Sequence, residues 1–459
     1  MSGATPPDLE QPGVRERVRE LVEAGDLASL EGLLPDLHPS DVADVLAALG
    51  EDDRLALLEA LPVQLASEAL AEMEEGEERG ELLAALPPDR GARLLRELED
   101  DDAADLIAEL EPDERALMLE RLPVQEAGGL RKLLRFEEET AGHLMTTSLV
   151  AIRVDLTAQD AITEVRRQGR EIEAFYNVFV VDYARKLLGT VPLDQLILAD
   201  PLTPVAELVQ PTDATVLPDV DQEEVGQLMS RYNLVSMAVV NEQGELIGRI
   251  TFDDVIDVLE AEQTEDMLLL AGVSDEEEIR ADWREAVRAR LPWLSVNLVT
   301  ASIAASVVLV FGAAIESLWF LAAIMPIVAG MGGNSGMQSL AVTVRRIALS
   351  RGPLEPRSDV VAKEAVVGLV NGLILGLLGF AVAWVAAATM TGVSPRLPWV
   401  VLLALWGNIV IAASMGALIP TELHRIGVDP AIASSVFLTA FTDMVGFLLL
   451  LGLASALLL

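Results

Sequence analysis

One aspartate, Asp443, sits in the run FTDMVGF (441–447) and is the only charged residue between Asp429 and Leu459. The surrounding residues are apolar for the length of a membrane span. A carboxylate near the centre of a bilayer costs about 2.5–3.5 kcal/mol on insertion scales, and burial penalises its ionised form unless a cation offsets the loss of water. No Lys or Arg falls mid-span in the hydrophobic stretches of the C-terminal part. Two readings stay open: a protonated or hydrogen-bonded packing residue, or a ligand for a cation in a water-filled path. Were two copies of the chain to meet there, their Asp443 side chains would repel one another unless a divalent ion sat between them.

A second set of chemistry-bearing residues is acidic and precedes the apolar part. Asp254 and Asp257 share a helix face by three-residue spacing, as do Glu262, Glu265 and Asp266. This is either a solvated acidic surface or a set of hard oxygen ligands suited to an ion such as Mg²⁺. Soft ligands are missing: the chain has no Cys and three His (His38, His143, His424). That excludes disulfides and thiolate metal sites and argues against a His-based zinc or iron centre. No span contains a His or a Ser/His pair, and no Walker-type phosphate loop is present. The expectation is a protein that is not an enzyme.

The elements that must hold these groups differ sharply in charge. Residues 291–459 carry seven Lys/Arg and seven Asp/Glu, so the whole net charge of −41 lies in the first 290 residues. Such a surface attracts cations and repels nucleic acid, which is not expected as a partner. The opening MSGATPPDLEQPG has neither a basic nor an apolar leader region, so the acidic part is expected to stay in the cytosol. Residues 1–13 read as disordered. Residues 14–136 read as helices, with LHPSDVADVLAALGEDDRLALLEALP (37–62) repeated, 12 of 26 positions identical, as LEDDDAADLIAELEPDERALMLERLP (98–123). Stacked helical hairpins, a short α-solenoid, are the natural result. The shared acids serve as N-caps and solvated faces or, in the denser second copy, as a metal-attracting edge.

From 137 to 262 the pattern becomes α/β. Short β-branched runs (LVAIRV, NVFVVD, SMAVVN, LIGRITF) alternate with helical stretches in two halves of one order, LLGTVPLDQLI (187–197) matching LIGRITFDDVI (246–256). The tandem resembles paired CBS modules, which often bind adenine nucleotides. In that pattern Thr251 and Asp254 would hold a ribose, while Pro192 occupies the equivalent threonine position of the first module. At most one regulatory ATP per chain is expected. A linker helix over 263–291, with a turn near Gly272, leads to five expected spans at 293–314, 318–344, 364–389, 398–420 and 430–457. Basic residues in the 345–363 and 421–429 loops put those loops in the cytosol and Leu459 outside. Gly368, Gly372, Gly376 and Gly379 form a close-packing face, and Asn371 and Asn408 read as interhelical hydrogen-bonding groups. The run MPIVAGMGGNSGMQ (325–338) is too glycine-rich for an ordinary span, since each Gly costs about 1 kcal/mol. Non-helical or widened backbone lining a pore is the expectation, with Gly330, Gly332, Gly333, Asn334 and Gly336 as lining or hinge.

Taken together, AGHLMT (141–146), DVLEAEQTEDMLLLAGV (257–273), GGNSGMQSLAVTVRR in the second span, GVDPAIASS opening the fifth and TAFTDMVGF within it resemble the MgtE family of magnesium transport proteins, over residues 14–459. The resemblance implies a mainly α protein of three parts: a cytosolic α-solenoid, an α/β tandem CBS domain and a five-helix membrane domain. It implies a homodimer in a bacterial inner membrane with a pore on its two-fold axis. Asp443 would be the selectivity carboxylate for a mostly hydrated Mg²⁺, and Glu316 an acid near the outer mouth. Mg²⁺ sensing would fall to Asp101, Asp105, Glu223, Asp254, Asp257, Glu262, Glu265 and Asp266, with Asp429 a gate residue. The chain departs from the family pattern at Met337, where many members carry Asn, and at Asn233, where some carry an acid. A related transporter of Co²⁺ or Mn²⁺ is the alternative.

Overall fold

The computed structural model describes residues 38–73, 79–170, 172, 175–273, 283–348, 357–390, 392–426, 428 and 430–459, with Leu21 and Ala24. The chain divides into two compact units, Met1–Glu260 and Ala261–Leu459. The expected Pro-rich disorder over 1–13 and the gate residue Asp429 lie outside the described residues.

The first unit begins with eight short helices, α1 (Pro39–Ala48), α2 (Glu51–Ala60), α3 (Val63–Ala71), α4 (Arg79–Ala85), α5 (Pro88–Leu95), α6 (Asp100–Ala108), α7 (Pro112–Arg121) and α8 (Val124–Leu133). Their punctuation is local chemistry. Pro39, Pro88 and Pro112 sit in the first turn, where a missing N–H is harmless and φ is preset. The Leu–Pro pairs at 61–62 and 122–123 hold the preceding residue extended and end α2 and α7. The internal repeat is a repeat of packing. Arg54 donates to the carbonyls of Leu49 and Ala47, and its counterpart Arg115 donates to those of Leu110 and Ala108. In each hairpin one guanidinium satisfies the carbonyls that its first helix leaves open.

Two α/β modules follow. In the first, β1 (Ala151–Arg153) pairs parallel with β2 (Asn177–Val181), which pairs antiparallel with β3 (Leu187–Pro192); α9 (Ala158–Gln168) makes the crossover, and α10 (Leu193–Leu198) and α11 (Val205–Leu208) follow β3. The second repeats this order with β4 (Thr215–Val216), α12 (Gln222–Tyr232), β5 (Ser236–Val240) and β6 (Leu246–Thr251). Even the register irregularity recurs, at Val180/Val181 and at Val239/Val240. The solenoid and the second module share one apolar core that runs from Leu46 and Leu106 through Met145 to Val239, Ile250 and Val255. This continuity gives acids of the solenoid fixed positions against β6 and the helix after it, α13 (Phe252–Ala271).

The second unit holds α14 (Trp283–Val310), a short α15 (Gly312–Ser317), α16 (Leu321–Ala348), α17 (Arg357–Thr389), α18 (Leu397–Arg425) and α19 (Pro430–Leu458). Four of these are long and apolar enough, among the described residues, to cross a membrane: Ala286–Val310, Ser358–Thr389, Leu397–Arg425 and Val436–Leu458. The 28-residue α16 has the length, but its Gly-, Asn- and Gln-bearing middle dilutes its apolar character. Two expectations need correction. The first span does not reach 314, because Phe311 leaves helical geometry and starts α15. The backbone of 325–338 is helical throughout, Pro326 included. Its glycines are offset by close approach: Gly336 lies under Leu438, and a Cβ on Gly416 would stand 2.4 Å from the Gly336 carbonyl oxygen. The Gly368, Gly372, Gly376, Gly379 stripe does form a packing face, seated on Ala413, Trp406, Leu402 and Leu405 of α18.

Candidate functional site

In the second unit the apolar length of α19 carries Asp443, half-buried, beside a buried Thr442 whose hydroxyl donates to the Thr439 carbonyl (3.0 Å). A Cβ on Gly333 would lie 4.0 Å from that hydroxyl, so the Gly333 turn of α16 and the Thr442–Asp443 turn of α19 come together. Gly330, Gly333 and Asn334 fall on one helix face by their spacing. Gly330 and Asn334 are exposed, and Gly330 has open space above it. The residues grouped as pore lining or hinge therefore separate. Gly330 and Asn334 are exposed and Gly333 approaches Thr442, the residue before Asp443, whereas Gly332 and Gly336 are buried packing positions. Asn408 makes the interhelical bond expected of it, while Asn371 is exposed. Glu316 is exposed on α15.

The last turn of α13 belongs to this unit. Leu269 and Leu270 join Leu340, Val344, Leu438, Met337, Met415 and Ile419 in one apolar cluster. The helix ends at Gly272, whose φ of +76° suits a residue without Cβ. A cavity of about 230 Å³ opens there between Leu270, Trp293, Asn297, Met337 and Thr439. Met337 thus packs against the end of α13. Glu262, Glu265 and Asp266 lie half-buried earlier on the same helix.

In the first unit, the four consecutive acids 99–102 are given distinct surroundings by the start of α6. Glu99 pairs with the buried Arg249 of β6 (3.2 Å). Asp100 accepts from the Thr146 hydroxyl (2.6 Å), from the Thr147 amide (2.9 Å) and from the Thr147 hydroxyl. Asp101, 7 % exposed, faces Asp254, and its Oδ1 is buried with no hydrogen-bond partner among the described residues. Burial first, then repulsion from Asp254, Asp102, Glu99 and Asp100, pushes the Asp101 carboxyl well above the carboxylate range. Asp254 accepts from the Thr251 amide (3.3 Å) and hydroxyl, which favours its charge, but burial outweighs this and raises its carboxyl to about 6. Asp257 is raised in the same direction by burial and then by Glu72, Glu260 and Asp253. Asp105 instead pairs with His143 (3.0 Å), and Glu223 accepts from Gln227 (3.1 Å) in the first turn of α12.

Sequence reasoning missed Glu72, Glu99 and His143, which come to the acids only through the docking of the solenoid on the second module. Among the described residues no three His, Asp or Glu side chains are gathered closely enough to hold a metal ion. The Asp101–Asp254 pair is nonetheless suited to one class of ion. Mg²⁺ keeps most of its waters and binds through one or two carboxylates. An unpartnered buried carboxylate oxygen facing a second carboxylate is the electrostatic deficit that such an ion relieves. Asn233 follows from local geometry: it caps α12 in the left-handed region (φ +52°), a conformation Asn tolerates better than most residues. For a nucleotide, Thr251 and Asp254 stand together at the β6–α13 junction, and Asp254 commits one oxygen to Thr251 and keeps the other.

A solenoid and paired CBS modules, followed in the chain by long apolar helices of which one carries Asp443, define a membrane transport protein. Family models match residues 37–139 (MgtE intracellular N domain), 141–201 and 205–261 (CBS domain) and 325–453 (MgtE, divalent cation transporter). A magnesium transporter MgtE of Thermus thermophilus is 35% identical over 449 residues, 96% of this chain and 98% of the relative, and one of Enterococcus faecalis is 34% identical over 331 residues, 72% of each. A crystal structure of the cytosolic domain of the Mg²⁺ channel MgtE in complex with ATP is similar at 35% identity and a TM-score of 0.51, over 53% of this chain and 100% of that one. The chain belongs to the MgtE family of magnesium transporters.

Proposed function

We propose that this chain is the subunit of a homodimeric Mg²⁺ channel for magnesium uptake across a bacterial inner membrane, closed by Mg²⁺ binding to its acidic cytosolic domains. The observation that carries the reading is Asp443, half-buried on α19 directly after Thr442, whose hydroxyl Gly333 of α16 approaches. A carboxylate there, with Asn334 and backbone carbonyls, is a hard oxygen set for a cation that sheds water reluctantly. Gly330, Gly333, Asn334 and Asp443 would line the passage, and Glu316 and Asp429 would stand near its outer and inner mouths.

Gating follows from linkage. Asp101 and Asp254 would hold a regulatory Mg²⁺, with Asp105, Glu223, Asp257, Glu262, Glu265 and Asp266 contributing further acid. Crowded carboxylates favour separated domains when Mg²⁺ is scarce. Neutralising them favours the docked arrangement, and ions that bind the closed state better shift the population towards it. Thr251 and Asp254 would also hold the ribose of one regulatory ATP, a reading supported by the ATP complex of the similar cytosolic domain. The N-terminal unit is then cytosolic and the C-terminus outside.

The test is rescue of growth in a host that lacks its own magnesium uptake. Wild-type chain restores growth at low Mg²⁺, and Asp443→Ala, present in the membrane at equal amount, does not. Rescue by Asp443→Ala removes the reading. Uptake that prefers Co²⁺ or Mn²⁺ over Mg²⁺ favours the alternative cargo.

A further inference from the structure

Asn408 of α18 is fully buried, and its amide touches both helices that carry the groups around Asp443. Nδ2 donates to the Val328 carbonyl of α16 (2.9 Å), and Oδ1 has no hydrogen-bond partner among the described residues. The amide is clasped by two glycines. A Cβ on Gly332 of α16 would fall 2.1 Å from Nδ2 and 3.2 Å from Oδ1, and one on Gly446 of α19 would fall 2.8 Å from Nδ2. Real Cβ atoms do not approach so closely, so both helices are held against Asn408 at a distance only glycine permits. Gly332 is the neighbour of Gly333, and Gly446 lies three residues from Asp443. The thickness of one side-chain amide therefore sets how far the Gly333–Asn334 face stands from the Asp443 turn.

We propose that Asn408 is a positioning residue for cation selectivity, acting as a rigid polar spacer between α16 and α19. The proposal rests on the reading of Asp443 as the transport carboxylate. Mg²⁺ demands a tighter, more regular shell than Ca²⁺, which accepts longer bonds and variable geometry. A spacing fixed by a hydrogen-bonded amide between two glycines discriminates the two, and a spacing free to relax does not.

The test is uptake by the purified full chain in liposomes, Mg²⁺ against competing Ca²⁺, with folding followed by tryptophan fluorescence, since all six Trp lie between 283 and 406. Gly332→Ala alone should lose folded protein or Mg²⁺ preference, because its Cβ meets Asn408. The double variant Asn408→Ala/Gly332→Ala removes all three atoms that the new Cβ would strike and should fold. It should still carry Mg²⁺, with preference over Ca²⁺ reduced about fivefold, the ratio that one lost net hydrogen bond carries. Asn408→Ser, which keeps a donor, should retain more of the preference than Asn408→Ala. Wild-type preference in the folded double variant, or in a folded Gly332→Ala chain, overturns the proposal. Undiminished Mg²⁺ uptake by Asp443→Ala overturns the underlying reading instead, so the two failures are separable.

Discussion

Asp254→Asn removes one of two carboxyl charges that the fold forces together. Burial, with repulsion from Asp253 and Glu99 behind it, raises the Asp254 carboxyl from 3.8 to about 6. That difference corresponds to roughly 3 kcal/mol as a ceiling on the penalty of ionising it in the folded chain. The group is only half-buried and partly screened by water, which brings the figure to about 1–2 kcal/mol. The folded value lies above the unfolded one, so the associated stability is full below about 3.8, is lost as pH rises towards 6 and stays lost at neutral pH. Without metal, the docking of α6 on α13 is therefore weaker at pH 7.5 than at pH 5, and Asp254→Asn escapes the loss. Hydrogen–deuterium exchange of the full chain reads this locally. In chelator at pH 7.5, peptides covering 99–108 and 252–258 should exchange about five- to thirtyfold more slowly in Asp254→Asn than in wild type, 1.4 kcal/mol being tenfold. Added Mg²⁺ should slow exchange in wild type and change the variant little. Equal or faster exchange in the metal-free variant would refute the view that these carboxylates hold the domains apart.

Two further outcomes follow from the packing. Glu99→Gln removes the carboxylate charge 3.2 Å from the buried Arg249 guanidinium and should destabilise the solenoid–module contact by about 3 kcal/mol, seen as early proteolysis between 133 and 150. Gly416→Ala places a Cβ 2.4 Å from the backbone oxygen of Gly336, which cannot move as a side chain could, and should lower the melting temperature of the membrane unit measurably by tryptophan fluorescence.

Local patterns were the legible part of this fold. The 26-residue repeat, its copies 61 positions apart, announced two equivalent hairpins because Arg54 and Arg115, like the Leu–Pro breaks, act within a few residues of themselves. The β-branched runs of the two modules became strands at nearly the expected positions for the same reason. Residues whose surroundings come from distant segments were not legible. His143 beside Asp105, Glu72 beside Asp257, and the Glu99–Arg249 pair, 150 positions apart, exist only once solenoid and second module share a core. The glycines of 325–338 misled because helix propensity counts only their local cost. Gly332 allows an approach to Asn408 that no other residue allows, Gly336 sits tightly under Leu438, and the helix continues through them. Asn233 offered a readable signal, since Asn directly after the last periodic residue of a helix is a C-terminal cap.

Electrical recording of the purified protein in a planar bilayer, with Mg²⁺ as the only charge carrier, addresses the central claim without intermediaries. Wild type should pass Mg²⁺ current that falls as Mg²⁺ rises on the side of the N-terminal unit, and Asp443→Ala should pass none. Current through Asp443→Ala equal to that of wild type would contradict the account.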